Sequence, residues 1–231
     1  MRAPHTDREY EAELALLRQR VRAMGAIVRE MLVGGVRALV DGDTVRAQAV
    51  IDRDEEIDRL EVELDEQCLR VLARRQPVAS DLRLIAATLK LVTDLERMGD
   101  LCGSLCERVI ELAAAAPQTP AGSLPLMAAA VEAMVLDAIE AFVTGDATLA
   151  EQVLTRDDLV DSYFAQLLGE LFADMMAQPA AIYRATRLTS VAKYLERIAD
   201  HATNVAELAV FMVNGEDIRH RHRRGPRAPH V

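Results

Sequence analysis

The feature that most restricts the fold of this chain is an internal repeat. Residues 24–58 align without a gap with residues 127–161 when the sequence is shifted by 103 positions. The aligned residues that keep their type are Met24, Ala26, Val28, Met31, Ala38, Val40, Gly42, Asp43, Ala47, Val50, Arg53, Asp54 and Asp58. A later block repeats at an offset of 100, where Leu95, Glu96, Arg97, Asp100 and Glu107 match Leu195, Glu196, Arg197, Asp200 and Glu207. Because loops tolerate insertions, a three-residue difference is compatible with two copies of one folding unit.

The segments between the few glycines and prolines have apolar residues at three- to four-residue spacing. This spacing is typical of amphipathic helices, and the abundant Ala, Leu, Glu and Arg also favour helix. We predict six helices, at residues 7–40, 44–75, 79–115, 124–143, 147–177 and 180–214. Short connections make consecutive helices antiparallel. The predicted fold is therefore all-α, with two tandem three-helix bundles related by internal duplication.

The positions of the breaks predict the domain boundaries. Residues 1–115 form the first bundle, residues 116–124 a linker with two prolines and one glycine, and residues 125–215 the second bundle. Residues 216–231 contain five arginines and show no apolar periodicity, so we predict a disordered basic tail. An alternative role for this tail is contact with anionic lipid or with an acidic partner surface.

The charge distribution limits the choice of partners. The chain has a formal net charge of −10, and residues 1–215 alone carry −13 because the tail is basic. This balance argues against nucleic-acid binding and favours cations or basic partners. The three cysteines are too few for a disulfide framework, no leader precedes the first acidic residues, and no run of eighteen apolar residues is found. We therefore expect a cytoplasmic protein.

Two of the cysteines, Cys102 and Cys106, are four residues apart and share one face of a predicted helix. Such a pair suits a metal or redox site. Their neighbours on that face, Met98, Leu105 and Val109, are apolar. We therefore favour a buried, chemically inert position for both thiols.

Repeated acidic stripes are the strongest functional feature of the sequence. Glu96, Asp100 and Glu107 fall within about 40° of one another on a helical wheel, opposite the apolar face. The corresponding residues in the second half are Glu196, Asp200 and Glu207. The preceding helices add two further sets, Asp54, Asp58, Glu61 and Asp65 in the first half and Asp157 and Asp161 in the second.

Like charges four residues apart on a helix repel each other by a few tenths of a kcal/mol, so their repetition requires an explanation. Carboxylates from neighbouring helices suit hard or borderline cations such as Mg, Mn or Fe. We predict a metal site in each half, at Glu96, Asp100, Asp54 and Asp58, and at Glu196, Asp200, Asp157 and Asp161. Glu61, Asp65, Glu107 and Glu207 are second candidates, either as metal ligands or as a partner surface.

The alternative interpretation of the stripes is an ordinary solvated helix face. In that case Arg97 and Arg197, together with Arg53 and Arg156, would neutralise the carboxylates in pairs. This interpretation requires no bound ion.

Motifs for catalysis are lacking in the sequence. The Glu-x-x-His pairs of di-iron bundles, phosphate-binding loops, dinucleotide turns and Ser-His-Asp spacings do not occur. His201 follows Asp200 but lies about 140° from Glu196 on the wheel, so we interpret it as a flanking surface residue. We predict that the protein is not an enzyme.

Three segments of the sequence resemble the PhoU family of bacterial phosphate-signalling regulators. They are "VIDRDEEIDRLE" at 50–61, "LARRQPVASDLRLIAATLKLVTDLERMGD" at 72–100 and "VAKYLERIADHATNVAE" at 191–207. The resemblance extends over about residues 8–218, and it implies the same tandem three-helix bundles that the repeat predicts. In "LERMGDLCGSLCE" the sequence departs from the polar run of its second half.

The resemblance also implies a function. Members of this family bind metal ions or iron or zinc clusters at the acidic motifs, so Mg, Mn, Fe and Zn are all candidate ions. They connect the ATPase subunit of the phosphate ABC transporter to a sensor histidine kinase, reach the membrane through these partners, and repress the phosphate-starvation response. Association through long helices implies a homodimer. The alternatives left open are a metal-dependent helical-bundle enzyme and a purely structural helical adaptor.

Overall fold

The computed structural model describes residues 8–115 and 122–218, and within these ranges it contains helices and no strand. The first half consists of α1 (Arg8–Asp41), α2 (Thr44–Ile51), α3 (Asp54–Arg75) and α4 (Ala79–Ala115). The second half consists of α5 (Leu124–Thr144), α6 (Ala147–Ala177) and α7 (Ile182–Asn214), with a 3-10 turn at Pro179–Ala181. The all-α prediction of two tandem three-helix bundles is confirmed.

The same turn joins the first two helices of each half. Gly42 and Gly145 adopt left-handed backbone conformations, with φ of +66° and +72°. In each case the following aspartate begins the next helix: Asp43 accepts a hydrogen bond from the Arg46 backbone N–H, and Asp146 from that of Leu149. Glycine ends a helix and aspartate caps the next one, so the repeated Gly-Asp pair fixes the same antiparallel hairpin twice.

The predicted continuous helix over residues 44–75 is wrong at residues 52–53, where α2 ends and α3 begins. The backbone N–H of Arg53 donates to the carbonyl of Val50, and that of Glu56 donates to the carbonyl of Arg53. These bonds span three residues instead of four, so the helix tightens locally at Arg53. In the second half, α6 runs through the equivalent Arg156 without a break.

Apolar side chains fill a core that is continuous through both bundles. The two bundles meet along α4 and α7, and also along α1 and α5. A Cβ added at Gly25 of α1 would lie 2.8 Å from the side chain of Ile139 on α5, so glycine permits the close approach of these helices. This packing presents the acidic faces of α3, α4, α6 and α7 on the outside of the shared core.

Cys68, Cys102 and Cys106 are buried and not bonded to one another. Burial raises the pKa of Cys106 to about 12 and raises that of Cys102 further, so both thiols remain protonated at neutral pH. A Cβ added at Gly35 of α1 would lie 3.1 Å from Cys106 Sγ, which shows how tightly this thiol is packed. The interpretation of this pair as small buried apolar residues is confirmed.

The predicted linker and tail lie largely outside the described residues, at 116–121 and 219–231. The described start of the tail packs onto the protein, because Ile218 is only 8% exposed and joins the core. In the part of the chain that the structure describes, none of the helices has the length and apolar character needed to cross a bilayer.

Candidate functional site

The first acidic group lies between α3 and α4, which run antiparallel. Asp54 at the start of α3 is level with Asp100 on α4. Glu61, about two turns later, is level with Thr93, whose hydroxyl donates to Glu61 Oε1 at 3.4 Å. Gly99 makes the close approach of the helices possible. A Cβ at this position would lie 3.2 Å from Asp54 Oδ1 and 3.4 Å from Ile57.

Burial and mutual repulsion disfavour the charged forms of these carboxylates. The pKa of Asp54 is raised, first by burial and then by the charges of Asp100 and Asp58. The pKa of Glu96 is raised by burial and by Asp100, Glu61 and Asp58, whereas Arg97 acts in the opposite direction. Asp54 and Glu96 therefore both sense the charges of Asp58 and Asp100, which places the four carboxylates in one electrostatic group.

Two of the carboxylates in α3 have an oxygen without a hydrogen-bond donor. Asp54 Oδ1 and Asp65 Oδ1 are buried, and neither has a partner in the part of the chain that the structure describes. Burial also raises the pKa of Asp65, and Asp65 contributes to the raised pKa of Glu61. A buried acceptor without a donor is unfavourable, and a cation is one group that would satisfy it.

The second acidic group lies between α6 and α7 and has the same composition. Burial, followed by the charges of Asp161 and Asp200, raises the pKa of Asp157 to about 6. The pKa of Glu196 is raised by burial, Asp200 and Asp161, and is opposed by Arg197 and Lys193. The structure thus brings together the four carboxylates that were predicted for the second site.

The arginines neutralise the stripes only in part, because two of the four arginines named in the solvated-face interpretation pair with carboxylates outside the acidic groups. Arg53 pairs with Glu30 at 2.6 Å and with Glu56, and Arg156 pairs with Asp137, so both arginines are directed away from the acidic groups. Arg97 does make ion pairs within its group, with Asp100 at 3.1 Å and Glu96 at 3.4 Å, but its side chain is 56% exposed. An exposed pair of this kind contributes little stability.

Glu107 and Glu207 are separate from these groups. Glu107 is exposed and pairs with Arg108 at 3.0 Å, and it lies seven residues beyond Asp100, about 10 Å along α4. Glu207 has the same separation from Asp200 along α7. Glu61 and Asp65, by contrast, extend the first acidic group along α3.

Over residues 8–115 and 122–218, no three His, Cys, Asp or Glu side chains converge in a geometry that holds a metal ion. The carboxylates are close enough for their charges to raise the pKa of Asp54 and Glu96 in the first group and of Asp157 and Glu196 in the second, but they do not form a ready coordination shell. Their chemistry nevertheless fits a hard or borderline cation, because every donor is a carboxylate oxygen and Asp54 Oδ1 lacks a partner among these residues. Coordination would require rotation of these side chains.

The interpretation of His201 as a flanking surface residue is wrong. Its side chain is only 19% exposed and lies between α7 and α4, with Nδ1 2.8 Å from Asp94 Oδ1. Asn204 donates to the same carboxylate oxygen at 3.1 Å. Sequence reasoning missed this link between the bundles because the pattern of one helix does not show which residue of another helix faces it.

The fold and the acidic groups define a class of protein: a tandem helical-bundle protein with one carboxylate group on each half. The model of the PhoU domain matches this chain twice, over residues 21–109 and 124–209. The chain belongs to the PhoU family.

Individual relatives resemble nearly the whole chain. The phosphate-specific transport system accessory protein PhoU homologue of Pseudomonas aeruginosa is 41% identical over 94% of this chain and 90% of its own length. The homologue from Aquifex aeolicus is 40% identical over 91% of this chain and 95% of its own length.

Two solved structures of PhoU proteins resemble this fold across 90% of the chain. The crystal structure of PhoU from Pseudomonas aeruginosa superimposes with a TM-score of 0.85 at 41% identity, covering 90% of this chain and all of that one. The phosphate transport system regulatory protein PhoU from Streptococcus pneumoniae gives a TM-score of 0.82 at 28% identity, covering 90% of this chain and 98% of that one.

Proposed function

We propose that this chain is a cytoplasmic accessory regulator of phosphate transport and is not an enzyme. The observation that carries the proposal is the match to the PhoU family along both halves of the chain. Relatives that align with more than nine-tenths of it are named accessory proteins of the phosphate-specific transport system. The net charge of −10 supports protein and cation partners over nucleic acid.

In this proposal the chain connects the ATPase subunit of a phosphate ABC transporter to a sensor histidine kinase and represses the phosphate-starvation response when phosphate is plentiful. It reaches the membrane through these partners and acts as a homodimer. The long exposed faces of the helices give each bundle room for a partner.

The proposal includes a cation in each half. Asp54, Asp58, Glu96 and Asp100 would hold the first, and Asp157, Asp161, Glu196 and Asp200 the second. The cation would be Mg, Mn, Fe or Zn, and its positive charge would offset the repulsion between the carboxylates. The raised pKa of Asp157 and the unpartnered Asp54 Oδ1 support this part of the proposal.

Deleting the gene in its own bacterium tests the regulatory function. A reporter for phosphate-starvation genes should become active in phosphate-rich medium, and the wild-type gene should restore repression. A reporter that stays silent after deletion would contradict the regulator and favour a structural adaptor, whereas metal-dependent turnover by the purified protein would favour an enzyme.

Complementation with variants tests the role of the acidic groups. The double variant Glu196→Gln with Asp200→Asn should restore repression less completely than the wild type. The matched control is Glu151→Gln with Asp174→Asn, which removes two exposed carboxylates from α6 outside the group. If both double variants restore repression equally, the second acidic group has no regulatory role.

A further inference from the structure

A groove lined by three arginines lies between α1 and α3, away from the acidic group that α3 forms with α4. It has a volume of about 180 Å³. The arginines are Arg20 from α1 and Arg70 and Arg74 from α3, and the groove also contains Leu16 and Val71. The groove thus concentrates three guanidinium groups in a chain with a net charge of −10.

Carboxylates neutralise these arginines only in part. Arg20 donates to the neutral side chain of Gln67 at 3.0 Å, and it has no ion pair within the described residues. Arg74 is exposed and makes neither a hydrogen bond nor an ion pair in the same part of the chain. Arg70 pairs with Glu66 at 3.3 Å, in an arrangement that leaves its side chain 54% exposed.

The carboxylate that lines the groove is already occupied. Glu13 accepts two hydrogen bonds from Arg75, at 3.2 Å and 3.1 Å. Gln67 is 7% exposed and also donates to the backbone carbonyl of Glu13 at 3.4 Å, which fixes the side of the groove where Arg20 lies. The remaining guanidinium donors therefore face solvent without an acceptor among the described residues.

The groove is specific to the first bundle. At an offset of 103, Arg20 corresponds to Ser123 and Gln67 corresponds to Glu170. Arg20 contacts Gln67 in the first bundle, and Ser123 contacts Glu170 in the second. Ser123 donates its backbone N–H to Glu170 at 3.1 Å, so the second bundle fills this position with its own carboxylate. The counterparts of Arg70 and Arg74 are both alanines, Ala173 and Ala177. The duplication therefore does not account for the arginines.

We propose that this groove binds a doubly charged tetrahedral oxyanion, either inorganic phosphate or the phosphate group of a phosphomonoester. Guanidinium groups present planar forks of N–H donors, which bind phosphate oxygens in parallel pairs. An anion with several acceptor oxygens satisfies donors from more than one arginine at once. A monocarboxylate engages a single fork. The inference goes beyond the proposed function and does not depend on the acidic groups.

Titration calorimetry on the full chain tests the groove. The buffer is depleted of metal by resin, because a dissolved chelator is itself a polyanion, and the titrants are inorganic phosphate, glycerol phosphate and succinate. We expect the wild type to bind inorganic phosphate with a Kd of about 1 mM or below. Absence of heat at about 10 mM phosphate and at about 10 mM glycerol phosphate would overturn the proposal.

The variant Arg70→Gln with Arg74→Gln should weaken phosphate binding at least tenfold, which corresponds to about 1.4 kcal/mol. Arg59→Gln is the control, because Arg59 is an exposed arginine of the same helix outside the groove. The single variant Arg74→Gln removes a side chain without a described partner, so it tests the groove even if the double variant is unstable. If Arg59→Gln weakens phosphate binding as much as the groove variants do, the effect comes from the net charge of the protein and the proposal is overturned.

The titrants separate the sources of the oxyanion. Groove-dependent binding of both phosphate and glycerol phosphate supports recognition of the phosphate group itself. If glycerol phosphate binds in the groove at least tenfold more tightly than inorganic phosphate, the ligand is a phosphomonoester, and its carbon chain lies beside Leu16 and Val71. Succinate that binds as tightly as phosphate would overturn the assignment to a tetrahedral anion.

Discussion

Replacing Asp157 by asparagine should stabilise the metal-free protein at neutral pH. The folded state raises the pKa of Asp157 from 3.8 to about 6, first by burial and then through Asp161 and Asp200. Each pKa unit corresponds to about 1.4 kcal/mol, so the shift would disfavour folding by about 3 kcal/mol if no solvent reached the group. Asp157 is only half-buried, so solvent screening reduces this figure to about 1–2 kcal/mol.

The pH dependence follows from the direction of the shift. Between about 3.8 and 6 the folded state retains a proton on Asp157 that the unfolded chain has lost. The favourable contribution of the protonated carboxyl is therefore complete below pH 3.8 and disappears as the pH rises through about 6. The amide that replaces this carboxyl does not titrate, so the stabilisation by Asp157→Asn should be present at about pH 7.5 and nearly absent at about pH 4.

Thermal unfolding in resin-treated buffer measures the effect. For a chain of this size, about 1–2 kcal/mol corresponds to an increase in Tm of about 2–8 °C. The control is Asp174→Asn, which removes an exposed carboxylate from the same helix outside the acidic group. The reasoning is refuted if Asp157→Asn stabilises the protein no more than this control at about pH 7.5, or if its advantage persists unchanged at about pH 4.

Three further predictions concern the acidic groups and the contact between the bundles. Mg, Mn, Fe or Zn should raise the Tm of the resin-treated wild type, and the double variant Glu196→Ala with Asp200→Ala should show a smaller rise with a metal-free Tm equal to or higher than that of the wild type. A Tm that no cation changes would contradict the metal sites. Gly103→Ala should add about 0.5–1 kcal/mol to the free energy of unfolding measured by chemical denaturation, because no atom of another helix lies within 4 Å of the new methyl group. Gly99→Ala should add less to this free energy in the same assay, because its methyl group would lie 3.2 Å from an Asp54 oxygen. Asp94→Ala should cost about 1–3 kcal/mol in the same assay because it removes the shared acceptor of His201 and Asn204, and a loss below about 0.5 kcal/mol would contradict this role.

The parts of the fold that depend on local chemistry were predictable from the sequence. The Gly-Asp pairs at 42–43 and 145–146 determine their turns through backbone conformation and capping, and both effects involve only neighbouring residues. The pairing of acidic residues on α3 with those on α4 was predictable because the repeat kept the same pattern in the second half.

The parts that depend on a distant residue were not predictable. The contact between the Arg53 side chain and Glu30 on α1 is one that a helical pattern does not encode. The position of His201 depends on Asp94, which is 107 residues away in the chain. The convergence of Arg20 with Arg70 and Arg74 likewise follows from the packing of α1 on α3.

The two acidic groups have the same four central carboxylates, but their surroundings have diverged. In the first bundle, Glu61 and Asp65 lengthen the group along α3. In the second bundle, the positions equivalent to these two are Phe164 and Leu168, and Lys193 acts on the group with positive charge. Because each added carboxylate attracts a cation and each lysine repels it, we expect the first group to fill at a lower cation concentration than the second. A duplicated protein with two equal sites would respond over one narrow range of cation concentration, whereas we expect the divergence of these neighbours to give this chain two such ranges.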